Sequence, residues 1–174
     1  MRGLILSVVG DACQVYPTFF GIGVVAFGLA HCFYIKAFGF QPLDILDVIF
    51  GIVLYSSMGA YLGHAVIPRL PDVLSMIGVP IYCTLLTTTA WRALARALGS
   101  PGPFKSRYFT IRGEYLAAIG SILFAISACF VLYSHYVQPL QAQQFLTMST
   151  YYAAQFLITL SANQAISEPT KVYW

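Results

Sequence analysis

Charge is what this sequence is shortest of. Its 174 residues carry nine Lys and Arg against six Asp and Glu, 9% charged, where a soluble domain carries about 25%. That is too little to coat a surface facing water. With 59% hydrophobic residues and a mean hydropathy of +0.76, the chain reads as one solvated by lipid. The net charge of +3 then concerns membrane orientation rather than affinity for nucleic acid, which is excluded as a partner. Metal-binding patterns are also absent. Cys13, Cys32, Cys83 and Cys129 lie in apolar runs without CxxC or CxxH spacing, so they read as free, buried thiols. His31, His64 and His135 form no cluster with ligand spacing, so no metal and no other cofactor is expected.

What is present is a set of long apolar runs. Polar breaks and prolines cut the chain into six segments, about 3 to 16, 18 to 38, 45 to 66, 73 to 91, 113 to 134 and 144 to 165. A spanning helix needs about 20 apolar residues, so six use most of the length and no soluble domain fits beside them. Eight of the nine prolines fall between or beside the segments, and only Pro80 interrupts one, where a kinked helix is expected. The first segment is anomalous. Leu4 to Tyr16 reaches roughly 20 Å as a helix, against a hydrocarbon core near 30 Å. Asp11 within it and the lack of an A-x-A site after it argue against a signal peptide and for a truncated helix. The expected fold is all-α, a polytopic bundle forming one transmembrane domain over residues 1–166, with a short cytoplasmic tail at 167–174.

Placing the N-terminus in the cytoplasm puts eight of the nine basic residues on that side: Arg2, Lys36, Arg92, Arg96, Lys105, Arg107, Arg112 and Lys171, leaving Arg69 outside. The positive-inside rule therefore predicts an even number of spans with both ends cytoplasmic. The basic loop from Arg92 to Arg112 is a topology determinant, with anionic headgroups as a further partner at about 1 kcal/mol per charge.

A charge at mid-bilayer costs roughly 2.5 to 3.5 kcal/mol, so one retained there needs a partner or a task. Asp44, Asp47, Asp72 and Glu114 sit at helix starts, where an acid complements the helix dipole. Asp11 does not, and Ser7 lies one turn before it on the same face. In the second segment His31 and Tyr34 share a side. In the last, Thr147, Ser149, Thr150, Tyr151, Tyr152 and Gln155 are dense in groups that cost about 2 kcal/mol or more each if left unpaired in lipid. This stripe is expected to face the bundle or a wet cavity. Gly59 and Gly63 have GxxxG spacing, read as packing within the bundle.

Four blocks carry a family likeness. They are Gly3-Leu4-Ile5-Leu6-Ser7-Val8-Val9-Gly10-Asp11, Ala30-His31-Cys32-Phe33-Tyr34-Ile35, Gly120-Ser121-Ile122-Leu123-Phe124-Ala125-Ile126-Ser127-Ala128, and Thr150-Tyr151-Tyr152-Ala153-Ala154-Gln155. In order and spacing they resemble the blocks G-L-x-F-S-x-x-G-D, A-H-x-F-Y-I, G-A-x-L-F-x-x-S-D and T-Y-Y-x-A-Q of the lysoplasmalogenase (YhhN-like) family of membrane proteins. The resemblance implies hydrolysis of the vinyl ether bond of lysoplasmalogens to a fatty aldehyde and a glycerophospho-headgroup, with a lysophospholipid substrate, membrane lipids as surroundings and the endoplasmic reticulum membrane as location. It implies Asp11 as the catalytic acid and His31, Tyr34, Ser127, Thr150, Tyr151 and Gln155 as substrate-binding residues. Two departures accompany it. The third block ends in Ala128 where the pattern has an aspartate, and the family pattern places two further apolar helices before the first block. Three readings follow: an active hydrolase, an inactive relative that binds lysolipid or regulates a partner, and an unrelated small carrier built around an intramembrane acid. The sequence leaves oligomeric state open.

Overall fold

In the computed structural model the described residues are 2–40, 43–99, 104–105 and 110–167. They form α1 (Arg2–Gln14), α2 (Phe20–Phe38), α3 (Ile45–Tyr61), α4 (Val73–Leu98), α5 (Gly113–Tyr136) and α6 (Gln143–Ser167). A 3₁₀ turn at Pro17–Phe19 leads into α2, and a π turn at Leu62–Val66 with a 3₁₀ turn at Ile67–Arg69 prolongs α3. A two-residue antiparallel pair, Phe104–Lys105 with Thr110–Ile111, lies between α4 and α5. Four helices are long and apolar enough to cross a bilayer: Gly21–Phe38, Ile45–Arg69, Val73–Leu98 and Gly113–Tyr136. The shortness expected of the first segment holds, because α1 has 13 residues. The tail expected at 167–174 lies, from residue 168 on, outside the described residues.

The helix starts follow the acids. Asp47 Oδ2 accepts the Asp44 N–H at 3.1 Å, and Asp72 accepts from the Ser75 N–H at 2.8 Å and its hydroxyl at 2.9 Å, serving amides that a first turn leaves without partners. Basic residues serve the opposite ends. Arg92 Nε donates to Gly39 O at 2.7 Å and Arg96 Nη1 to Ala37 O at 3.0 Å, both at the end of α2, and Arg69 Nη1 donates to Ala65 O at 2.8 Å. The helix therefore runs past residue 91, where the sequence reading ended it, to Leu98. Arg92 is fully buried on a helix rather than in a loop, and the buried Ala93, Ala95 and Ala97 carry the helix on against the bundle. It also continues through Pro80.

α4 is the hub. It packs on α2, α3 and α5; α1 lies on α2, and α6 lies on α5. Close approach depends on glycine at Gly3, where a Cβ would come within 2.6 Å of the Tyr34 ring, at Gly10, within 2.8 Å of Phe27, and at Gly120, 2.9 Å from Ile158 and 3.0 Å from the Ala154 carbonyl. Gly59 and Gly63 meet nothing within 4 Å, so their GxxxG spacing packs against no described part of the bundle, contrary to the sequence reading. All four cysteines are free, as expected. Cys83 is buried, but Cys32 is exposed on the outer face of α2, so burial is not common to them.

Two expectations follow. Gly10→Ala should destabilise the protein by about 1–3 kcal/mol through overpacking, whereas Gly59→Ala should be neutral or stabilising by up to about 1 kcal/mol, both read from thermal unfolding in detergent. The hydrogen bonds from Ser75 hold the Asp72 carboxyl below its ordinary 3.8. This cap is therefore intact above that value and lost as the pH falls through the lower folded pKa, with faster exchange of the Ser75 amide as the readout.

Candidate functional site

Asp11 stands near the last turn of α1, half-buried, and its Oδ2 accepts a hydrogen bond from the Tyr151 hydroxyl of α6 at 2.8 Å. Gln155, one turn further along α6, donates its amide to the same hydroxyl at 3.0 Å. The order is directional: amide to phenol to carboxylate. Tyr151 therefore acts as a donor to Asp11 with its own lone pair engaged. The ring of Tyr151 lies edge-on to Phe27 and Phe124, with centroids at 6.1 and 5.4 Å, so the carboxyl sits at the edge of an aromatic floor.

His31 lies one turn beyond Phe27, is 2% exposed, and packs on Phe124 at 4.8 Å and on Tyr34 at 5.8 Å. Its Nδ1 is 3.0 Å from Thr89 Oγ1. Thr89 gives its proton to the Leu85 carbonyl at 2.8 Å, so Nδ1–H must be the donor and Nε2 the unprotonated nitrogen. Ser7 donates to Gly3 O and lies 3.2 Å from the Tyr34 hydroxyl, both at 3.2 Å, which makes Tyr34 the donor in that pair. Ser127 is buried and donates to Thr147 O at 3.0 Å. Thr150 turns back on its own helix, donating to Leu146 O at 2.7 Å. Ser149 does the same at 3.2 Å, and Tyr152 is exposed, so only part of the α6 stripe faces the bundle.

Of the residues singled out by sequence, Asp11, Tyr151 and Gln155 are joined directly, and His31 and Tyr34 are joined to them through the aromatic cluster. Ser127 and Thr150 bond only to α6 backbone. Ala128 is buried in the same cluster as Phe27, Phe124 and Tyr151. The sequence reading missed Thr89, although the run Thr87-Thr88-Thr89 inside an apolar helix signals hydroxyls needing partners. It also missed the floor made by Phe27 and Phe124. Among the described residues no group of three or more His, Cys, Asp or Glu gathers. A cavity of about 360 Å³ opens beside the site, lined by Gln14, Ser134, His135, Gln143 and Thr147 among others. An apolar crevice of about 300 Å³ lies between α3, α4 and α5, lined by Met58, Tyr61, Ala125 and Cys129.

The fold and this site define an integral membrane protein of the helical-bundle class that holds a carboxyl between its first and last described helices. The chain belongs to the YhhN family, which it matches over residues 1–162. It is 37% identical to the lysoplasmalogenase TMEM86B of Sus scrofa over 165 residues, covering 93% of this chain and 62% of that protein. It is 36% identical to the Homo sapiens TMEM86B lysoplasmalogenase, covering 91% and 61%. To the Homo sapiens lysoplasmalogenase TMEM86A it is 32% identical, covering 98% and 67%. The chain thus spans about three-fifths of the length of the first two. No solved structure gives a significant match.

Tyr151→Phe removes the donor to Asp11 and the acceptor for Gln155 together, and should cost about 1–3 kcal/mol of stability. In a double-mutant cycle with Asp11→Asn the two losses should add to more than the double mutant shows, measured by unfolding in detergent.

Proposed function

We propose that this chain is a lysoplasmalogenase-like hydrolase that cleaves the vinyl ether bond of a lysoplasmalogen to a fatty aldehyde and glycerophosphoethanolamine or glycerophosphocholine. The observation that carries this reading is a half-buried carboxyl held by a hydrogen bond from Tyr151, in a chain 36–37% identical to lysoplasmalogenases. Vinyl ethers hydrolyse by protonation at the β-carbon. Asp11, as the neutral acid, gives its proton to that carbon, and the α-carbon becomes an oxocarbenium ion beside the carboxylate just formed. The carboxylate stabilises the cation and takes a proton from the water that attacks it. The product is a hemiacetal and Asp11 is again the neutral acid. Collapse of the hemiacetal breaks the remaining C–O bond, leaving aldehyde and the glycerol hydroxyl. One carboxyl thus completes the cycle by alternating roles. His31, Tyr34, Ser127, Thr150, Tyr151 and Gln155 shape the substrate's surroundings.

Ala128 favours a second reading, a relative that binds lysolipid or regulates a partner without turnover, since the family pattern has a second aspartate there. In either reading we place all six helices in the membrane with both ends cytoplasmic, on the strength of the basic residues at one end. By family likeness we place the protein in the endoplasmic reticulum.

Purified protein assayed for aldehyde release from lysoplasmenylethanolamine separates the two. Wild type should release aldehyde, Asp11→Asn should lose about 10²- to 10⁴-fold, the span of general acid–base catalysis, and Ala128→Asp should raise the rate. Absence of release from wild type with activity appearing in Ala128→Asp selects the second reading. A rate indifferent to Asp11→Asn removes Asp11 from the mechanism.

A further inference from the structure

The two ends of the bundle differ in chemistry. Gly3 packs on Tyr34 and Gly10 on Phe27, so α1 and α2 are antiparallel, and Arg2 shares an end with Lys36, the C-terminal carbonyls of α2 and the Arg92 and Arg96 guanidiniums bonded to them. Arg112 joins them, because the neighbouring Ile111 carbonyl accepts from Gln164 near the end of α6. The 360 Å³ cavity is at the opposite end, among the last turns of α1 and α5 and the first turn of α6. Its wall mixes amides and hydroxyls with the apolar Val131 and Met148, and has His135 as its one titratable side chain and neither Lys nor Arg. Ser134 donates to Gln143 Oε1 at 2.5 Å, which leaves the Gln143 amide N–H₂ to donate elsewhere. Thr147 Oγ1 is buried on this wall with no protein partner among the described residues, and a buried hydroxyl is rarely left so.

The cavity is also in register with the reactive carboxyl. Gln14 lies three residues beyond Asp11 and Thr147 four residues before Tyr151, one helical turn, or roughly 5–6 Å along each axis. That offset is about the length of an extended glycerol unit. At about 30 Å³ per water, the cavity has the volume of a dozen waters, room for a group of phosphoethanolamine size.

We propose that this cavity receives the phosphoglycerol headgroup of a lysolipid taken from the non-cytoplasmic leaflet, with Gln14, Gln143, Gln144 and Thr147 as its hydrogen-bonding wall. The inference deepens the lysolipid reading and rests on it. A wall without Lys or Arg, one turn from an aspartate, does not neutralise a lone phosphate. It suits a zwitterion, whose own ammonium balances its phosphate and finds the amide oxygens of the wall nearby. Entry from that side follows from the positive-inside rule, because the cavity is at the end away from all the basic residues but Arg69.

The test uses binding, so that it does not depend on turnover. The probe is a photoactivatable 1-O-alkyl-lysophosphoethanolamine, which has no vinyl ether to cleave, with the protein in sealed vesicles. Gln143→Ala and the isosteric Thr147→Val should each weaken its binding about five- to tenfold, the loss of one or two hydrogen bonds. Lysophosphatidic acid should compete at least tenfold less well than lysophosphoethanolamine. Probe added outside should crosslink chains whose basic end is shielded from external trypsin, whether or not they are cut at Arg69, and not those clipped at the basic end. Affinity unchanged in both variants, equal competition by lysophosphatidic acid, or crosslinking confined to clipped chains would each overturn the proposal. Crosslinking as expected without aldehyde release from a lysoplasmalogen leaves the headgroup site standing and removes only the hydrolase. Aldehyde release with no effect of either variant on probe binding does the reverse.

Discussion

A carboxyl in hydrocarbon has to be met by a donor, and here the donor comes from the far end of the chain. α1 packs chiefly on α2 and α6 on α5. α1 and α6 are joined by side chains, with Tyr151 reaching Asp11 across 140 residues of sequence. Without that reach the helices α1, α2, α4, α5 and α6 would form an open arc with a polar edge facing lipid. With it the arc closes around Phe27, Phe124 and His31, whose edge-on contacts fill the interior. Each such pair is worth about 0.5–1.5 kcal/mol beyond its buried area, so the aromatic floor holds the donor and acceptor in place rather than merely separating them from water.

The remaining charges sit at helix ends. Asp44, Asp47 and Asp72 serve helix starts, Arg92 and Arg96 serve the last carbonyls of α2, and Arg69 serves the end of the α3 extension. These are positions where a backbone leaves amides or carbonyls without partners and where the helix dipole favours the charge found. A protein with so few ionisable groups has used six of the described ones to terminate helices. Asp11 is the acid to which this explanation does not extend, and that makes it the candidate for chemistry independently of any likeness to other proteins.

Much of this was legible in advance, for a physical reason. Apolar runs of about 20 residues bounded by prolines leave little choice but helices in lipid, and the acids at helix starts and the one off-pattern acid could be picked out from position alone. Tyr151 and Gln155 could be paired because one turn separates them. What could not be read was tertiary. Whether Gly59 and Gly63 meet a neighbour depends on where α3 docks, and α3 touches chiefly α4, through its other face. The run of strong helix formers from Ala93 to Leu98, ended by Gly99, favours the longer α4 locally, but that Arg92 and Arg96 serve the last carbonyls of α2 is tertiary. Thr150 and Ser127 look like site residues by type, yet both hydroxyls bond to α6 carbonyls, an option open to any Ser or Thr in or beside a helix.

The direction of the hydrogen bonds limits what Asp11 can do. Gln155 donates to Tyr151 and Tyr151 donates to Oδ2, so a phenol that turned to accept from Asp11 would leave its own O–H in need of another acceptor. Oδ2 is held as an acceptor in both protonation states of the carboxyl, and the proton that comes and goes must be carried on Oδ1. A second carboxyl at position 128 would be buried in the cluster that holds Tyr151 and would need a donor of its own there. With alanine there, one oxygen of one carboxyl must serve as acid in the first half of the reaction and as base in the second.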